Sequence, residues 1–413
     1  MTTGLLHAMS APAWLPDAPS TDVGGVINSD TTWTLAGSPY VLTRSLSIAP
    51  GVTLTVEPGV VVMGSADSTL AVYGHLDAVG TALNSIIFTS VGDTAAGEWP
   101  GLYFLPGGTG HLNHVEVRYA GQYDIDAIQI DGTAGDGPII IENSSIHDNL
   151  GYPLMVKPED LHRLQMSNVN FAANGKNRII IDGDPFSSVI LTENVTLTGQ
   201  PGLEGYEVID FAIIVPPGIT MTLQPGATIM ATDSGYCPIS VAEQGHLEAV
   251  GTSEAPVTFT STSDSGPGEW TSICVSGSAH FDQAEFRYGQ FNVDISGSTG
   301  GDVFIENSTI ISSSLYGLWT YAESIHRLHM SNVTFSGNAQ NRVLIDTNNN
   351  YSGNSLVKDV TLTAQPGLEG YEFNAPDLPV LQVPAGVTLT MEAGTTLIAP
   401  NDWGAVVQIL DQG

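Results

Sequence analysis

Two histidine–arginine pairs, His162-Arg163 and His326-Arg327, are the first residues in this sequence with the makings of chemistry. Acids stand just before each pair: Glu159 and Asp160 in one case, Glu323 in the other. An arginine grips a carboxylate through two parallel hydrogen bonds, and a neighbouring imidazole adds acid–base capacity. The set therefore suits recognition of a carboxylate-bearing ligand. Since the pair occurs at the same place in two copies of a repeat, an inherited coil-to-coil salt bridge is the competing expectation. Asp124, Asp126 and Asp294 form a second group, hard oxygen donors in turn-rich sequence and candidates for Ca2+. No EF-hand spacing surrounds them. Trp319 is the third candidate. It has no counterpart in the earlier copy, where Leu154-Met155 stands, so it reads as a ligand platform. Trp99 and Trp270 follow Gly-Glu both times and read as a structural corner.

The chain that must position these residues has 413 of them and a net charge of −33, from 43 acidic and only 10 basic side chains. The imbalance comes from scarce cations; Lys157, Lys176 and Lys358 are the only lysines. Such a chain repels phosphate backbones, which excludes nucleic acid as a partner. No apolar run approaches the roughly 18–20 residues of a membrane span. Cys237 and Cys274 are too few for a disulfide framework, and read as small core residues or one isolated bond.

Internal repetition decides the architecture. Gly51-Val-Thr-Leu-Thr-Val-Glu-Pro-Gly59 returns at Gly218 and again at Gly386, at almost equal intervals. Between these landmarks, His75-Leu-Asp-Ala-Val-Gly-Thr81 matches His246-Leu-Glu-Ala-Val-Gly-Thr252. Segments 161–182 and 325–346 agree at more than half of their positions. The division expected is a leader over 1–21, modules over 22–208 and 209–374, and an interrupted third copy over 375–413. That interruption suggests a fragment of a larger parent chain, or an end completed by another molecule. Within each module, short alternating runs such as Leu54-Thr-Val56, Val115-Glu-Val-Arg-Tyr119 and Val303-Phe-Ile305 are bounded by Gly, Asn, Asp or Pro. Period-two alternation of this kind predicts strands. An inner repetition of about 20 residues predicts that they wind as a solenoid.

At this level the chain resembles right-handed parallel β-helix proteins of bacterial surfaces. The resemblance rests on Ile48-Ala-Pro-Gly-Val-Thr-Leu-Thr-Val-Glu-Pro-Gly59, Leu70-Ala-Val-Tyr-Gly-His-Leu-Asp-Ala-Val-Gly-Thr81 and Met166-Ser-Asn-Val-Asn-Phe171. It implies an all-β solenoid, a right-handed parallel β-helix of tandem modules, each as long as the stretch from Gly51 to Gly218. In that pattern Asn143, Asn168, Asn307 and Asn332 are expected to stack as turn ladders rather than to contact a ligand. Enzymes of this fold supply a comparison. Its polysaccharide lyases set an arginine or lysine beside Ca2+-binding acids, and its galacturonidases carry clustered aspartates and Gly-His-Gly. Here Gly-His-Gly is missing, and Arg118 and Arg287 stand alone in regular strand patterns.

The expectation is a secreted or cell-surface stalk, adhesin or fibre component without catalysis. Val387, Leu389, Val407 and Ile409 of the last copy would form the joint for end-to-end self-association. The alternative is a polysaccharide-binding or polysaccharide-cleaving protein, with Ca2+ as its cofactor. Ice binding is a lesser alternative, suggested by pairs such as Thr53/Thr55 and Thr220/Thr222; it needs threonines stacked on successive coils.

Overall fold

A computed structural model of the protein describes residues 20–132, 137–347, 354–374, 381–399 and 407–410. The expected leader lies almost wholly outside the described residues. The chain is a parallel β-solenoid of about 14 turns, with only four short 3-10 turns among the described elements. Every strand pairing resolved between named elements is parallel. Register partners on neighbouring coils can be as close in sequence as Thr21 and Tyr40, or as distant as His75 and Thr109. The coils are therefore longer and less even than the inner repetition of the sequence suggests.

Alternation explains the strands directly. In Thr53–Val56 and Thr220–Leu223 every second side chain is buried, so each strand gives one face to the core and one to solvent. Successive coils then stack like on like. One inward ladder runs Leu46, Leu70, Leu102, Ile128, Leu154, Ile179, Tyr206, Ile229, Phe259, Phe286, Ile310, Phe335. Each member is at most 3% exposed, and the ladder crosses from the first module to the second without a break.

The turns are made by stacked asparagines, as expected. Asn168 donates to the Asn143 Oδ1 at 3.0 Å, and Asn332 donates to the Asn307 Oδ1 at 3.1 Å. All four sit at φ between 46° and 55°, a left-handed conformation that asparagine tolerates better than most side chains. Cys237 and Cys274 are joined as a disulfide, with Cα atoms 5.8 Å apart.

The modules are not simply translated copies. In the first, strands Val61–Gly64, Ile86–Ser90, Val115–Arg118, Ser145–His147 and Asn170–Ala172 form one column, face I. Strands Thr69–Val72, Gly101–Phe104, Ile128–Ile130, Leu154–Val156 and Arg178–Ile181 form face II. Thr228–Ala231 is the repeat equivalent of Val61–Gly64, yet it continues face II through Gly205–Val208. At the next junction Leu397–Ile398 likewise continues the column of the preceding module's second face, through Gly370–Asn374. Each module is thus advanced by one face of the three-faced coil relative to its predecessor.

The third face of module one ends at Leu164–Ser167. Past it, new sheets begin with Ser188–Ile190 and with Val195–Leu197. We call this interruption the first seam. Among the described residues these threonines stack only in pairs, not in the extended ladder ice binding would need: Thr55 lies on Thr32 and Thr222 on Thr196, and the next coil brings Asp77 and Glu248.

Of the residues expected to form the terminal joint, Leu389 lies in Leu389–Met391, paired with Val360–Leu362. Val407 and Ile409 lie in Val407–Ile409, paired with Leu381–Val383. Val387 is partly buried against the core, whereas Ile409 is 79% exposed.

Candidate functional site

The second face of module two brings aromatic and acidic groups side by side. Its outward side chains stack as Ser240, Cys274, Asp294, Trp319, Leu344 and Glu372 on successive coils. Asp294 is held between inward Val293 and Ile295, both fully buried, so its side chain projects from the outer side of the sheet, where its Oδ1 is covered. The same alternation in Tyr316–Tyr321 puts Trp319 and Tyr321 on that surface. Asp346 is the register partner of Tyr321 on the next coil.

The aromatics form a continuous shelf. Phe291 and Trp319 have ring centroids 4.5 Å apart, and Trp319 and Tyr321 5.8 Å. Asp294 Oδ1 and Trp319 Nε1 are both buried and have no hydrogen-bond partner among the described residues. Leaving a buried polar atom unmatched costs about 1–3 kcal/mol, so native structures rarely do it away from functional positions. Burial, reinforced by the charge of Asp346, pushes the Asp294 carboxyl up to about 7. Burial and the carboxylates of Asp294, Asp346 and Glu323 push the Tyr321 phenol up to about 12. A carboxyl that keeps its proton to neutrality can donate as well as accept. Set beside aromatic rings, it can hold a hydroxyl while the rings take an apolar ring face.

The other expected residues are placed differently. Arg163 and Arg327 are 1% and 0% exposed, so neither guanidinium faces solvent as gripping a carboxylate ligand would require. Arg163 donates to the Asp160 carboxylate at 2.8 Å and to the main-chain carbonyls of Gly137 and Gly108. Arg327 has no acid partner of this kind. It donates to the carbonyls of Gly301, Ser296, Gly297 and Gly277, and burial lowers its basicity. Both arginines tie neighbouring coils together. The Arg163–Asp160 pair lies within the single turn Pro158–Arg163, so no coil-to-coil salt bridge forms as expected; in both modules carbonyl acceptors carry the contact between coils.

His162 lies at the first seam, its Nε2 3.8 Å from Glu193. His326 holds both ring nitrogens buried without a partner among the described residues, and burial next to Lys358 lowers its pKa and favours the neutral ring.

Asp124 lies on the 3-10 turn Gln122–Asp124, and its side chain is outside the described residues. Asp126, raised to about 6 by burial, is in module one, far along the chain from Asp294 and on a different column. Asp126 and Asp294 therefore do not share one site. Among the described residues, no group of three or more His, Cys, Asp or Glu side chains is arranged to hold a metal ion.

The pattern of the pectate-lyase-like beta helix domain matches residues 25–137 and 189–313, more than half of the chain. The chain belongs to that family. No curated protein and no solved structure matches it. The second pectate-lyase-like segment takes in Phe291 and Asp294 and ends before Trp319 and Tyr321. One of the three shelf aromatics, with Asp294, thus lies within the matched β-helix domain and the other two on the coil beyond it.

Sequence reasoning singled out Trp319 and Asp294, but for different purposes, and missed Phe291, Tyr321 and Asp346. The alternation of Leu318-Trp-Thr-Tyr321 gives Tyr321 the same outward direction as Trp319. Joining either to Asp294 needs the coil register, which variable coil lengths hide.

Proposed function

We propose that this protein is a secreted or cell-surface β-helix protein that binds a polysaccharide along the outer face of module two. The observation that carries the reading is the pairing of Asp294 and Trp319. They are register neighbours whose buried polar atoms lack partners, set in a shelf of three aromatic rings. The pectate-lyase-like family supports a polysaccharide ligand.

Binding is favoured over cleavage by the composition of the site. Among the described residues, the field at Asp294 and Tyr321 comes from acids, with no arginine or lysine contributing to it. Arg118 and Arg287 are held elsewhere, by Asp93 and Glu116 and by Asp264 and Glu285. The rod supports this use. With one inward ladder spanning both modules, it presents the shelf on a stiff support and serves as stalk and binder together.

The test is a panel of soluble plant, algal and bacterial polysaccharides, scored for binding and for new reducing or unsaturated ends. Retention of at least one polysaccharide without new ends, lost in Trp319→Ala, is the expected result. New ends would move the protein to the enzymes, and retention unaffected by Trp319→Ala would end this reading.

A further inference from the structure

A rod of stacked coils is convex nearly everywhere, and small-ligand sites are concave. The first seam breaks the convexity for a topological reason. Leu164–Ser167 is the last strand of its sheet, while Val195–Leu197 starts another by pairing with Thr220–Leu223. A cleft of about 380 Å3 opens between these two edges. That volume lies in the range of about 300–1,000 Å3 usual for small-ligand sites.

The lining has a distinct chemistry. Gln165, Thr196 and Gln224 are exposed, and none of their side chains has a hydrogen bond to another described residue. Amides and hydroxyls both donate and accept, which matches the paired hydroxyls of a sugar. Leu164 is buried and Met166 half-buried, giving an apolar patch for a ring face. Among the described lining residues the only ionisable one is His162, whose Nε2 lies 3.8 Å from Glu193. No lysine or arginine lines the cleft, and a net charge of −33 opposes entry of an anion.

We infer that the first seam is a second binding site, selective for an uncharged oligosaccharide and independent of the Trp319 shelf. The aligned residues of the next seam sharpen the inference. There Gln165 is replaced by His329, Gln224 by Glu392 and Glu193 by Lys358, and His329 lies 3.4 Å from Asp302. The uncharged lining belongs to the first seam only.

The experiment is calorimetric titration of the full chain with cellohexaose, xylohexaose, laminarihexaose and mannohexaose. The variants are Gln165→His/Gln224→Glu, which borrows the residues of the second seam, and Trp319→Met. A single exposed change, Gln224→Ala, guards against misfolding of the double variant. At least one hexasaccharide is expected to bind, at least tenfold more weakly in the double variant and severalfold more weakly in Gln224→Ala. Met155→Ala, outside both sites, should stay within twofold of the unmodified chain. The inference is overturned if none of the four binds, if the seam variants bind like the unmodified chain, or if Trp319→Met removes the same binding. The last outcome would assign that binding to the shelf, so the two sites are told apart.

Discussion

The two modules hold the same arginine in the same pocket by different means. Arg163 answers the buried carboxylate of Asp160, whereas Arg327, with Ser324 in place of that acid, is caged by four carbonyls. The outer faces diverge in a parallel way. Module one stacks Tyr103, Gln129, Met155 and Ile180 where module two stacks Cys274, Asp294, Trp319 and Leu344. The lesson is that duplication preserved the inward ladders and turn asparagines, while the outward positions were free to change. Function is therefore to be sought where the copies differ, and scaffold where they agree.

The sharpest way to break the comparison is at the arginines. Arg163→Met strands the Asp160 carboxylate in the core, and breaking a buried pair in this way costs about 3–5 kcal/mol. Arg327→Met removes carbonyl hydrogen bonds but strands no charge, and should cost less, about 1–3 kcal/mol. Urea unfolding of both variants checks the order, and Asp160→Ser added to Arg163→Met should recover part of the loss. Equal costs would mean that the acid does not matter.

The seam gives the next effect. Arg178 bonds Glu204 and the 3%-exposed Glu207, and also reaches the Thr262 carbonyl of module two at 2.8 Å. The equivalent Arg342 bonds Glu369 and Glu372. Losing the deeper set should cost about 1.5–3 kcal/mol in Arg178→Ala, since each hydrogen bond to a charged group is worth about that much. Arg342→Ala should cost roughly half as much. Limited proteolysis, read as cleavage near the first seam, should show the same ranking.

Asp294 tests the outer face through pH. Its carboxyl titrates at about 7 when folded, against 3.8 for an ordinary aspartate. The stability associated with its protonated form is fully present below about pH 4 and is lost as pH rises through about 7. Asp294→Asn has no such loss. Its advantage over the unmodified chain should grow between about pH 4 and 7 and level off above, reaching on the order of a few kcal/mol. A difference in melting temperature that stays flat with pH would contradict the burial of this acid.

The smallest effect concerns the outward His280, which bridges Glu248 and Glu306 at 3.0 and 3.4 Å. Against the opposing effect of burial, these carboxylates raise its pKa above the usual 6.5. The stabilisation is present below about 6.5 and fades as pH rises through the folded value. His280→Gln should cost about 0.5 kcal/mol at pH 6, as partly exposed pairs usually do, and almost nothing at pH 9.

Much of the fold was legible. Alternation in Thr53–Val56 shows a strand without any structure, and Asn143 and Asn168 at matching turns announce their ladder. The one-face advance was not legible. The interval from Gly51 to Gly218 counts residues and not coils, and coil length varies between pairs such as Thr21–Tyr40 and His75–Thr109. The candidate site was legible only in part. Trp319 stood out because its copy is Met155, but Asp294 read as a metal ligand because nothing in the sequence tells that Trp319 lies beside it. The burial of Arg163 was equally hidden. A polar residue in a loop looks the same in sequence whether its partners are water or carbonyls of the coils beneath.

The most direct test of the central claim is to give module two the residue of module one. Trp319→Met and, as its control on the other module, Met155→Ala should be titrated with the polysaccharide that the panel identifies, following affinity by calorimetry. The expected result is at least a tenfold loss in Trp319→Met and no change in Met155→Ala. Equal affinity in Trp319→Met and the unmodified chain would contradict the claim and move the binding off the outer face of module two.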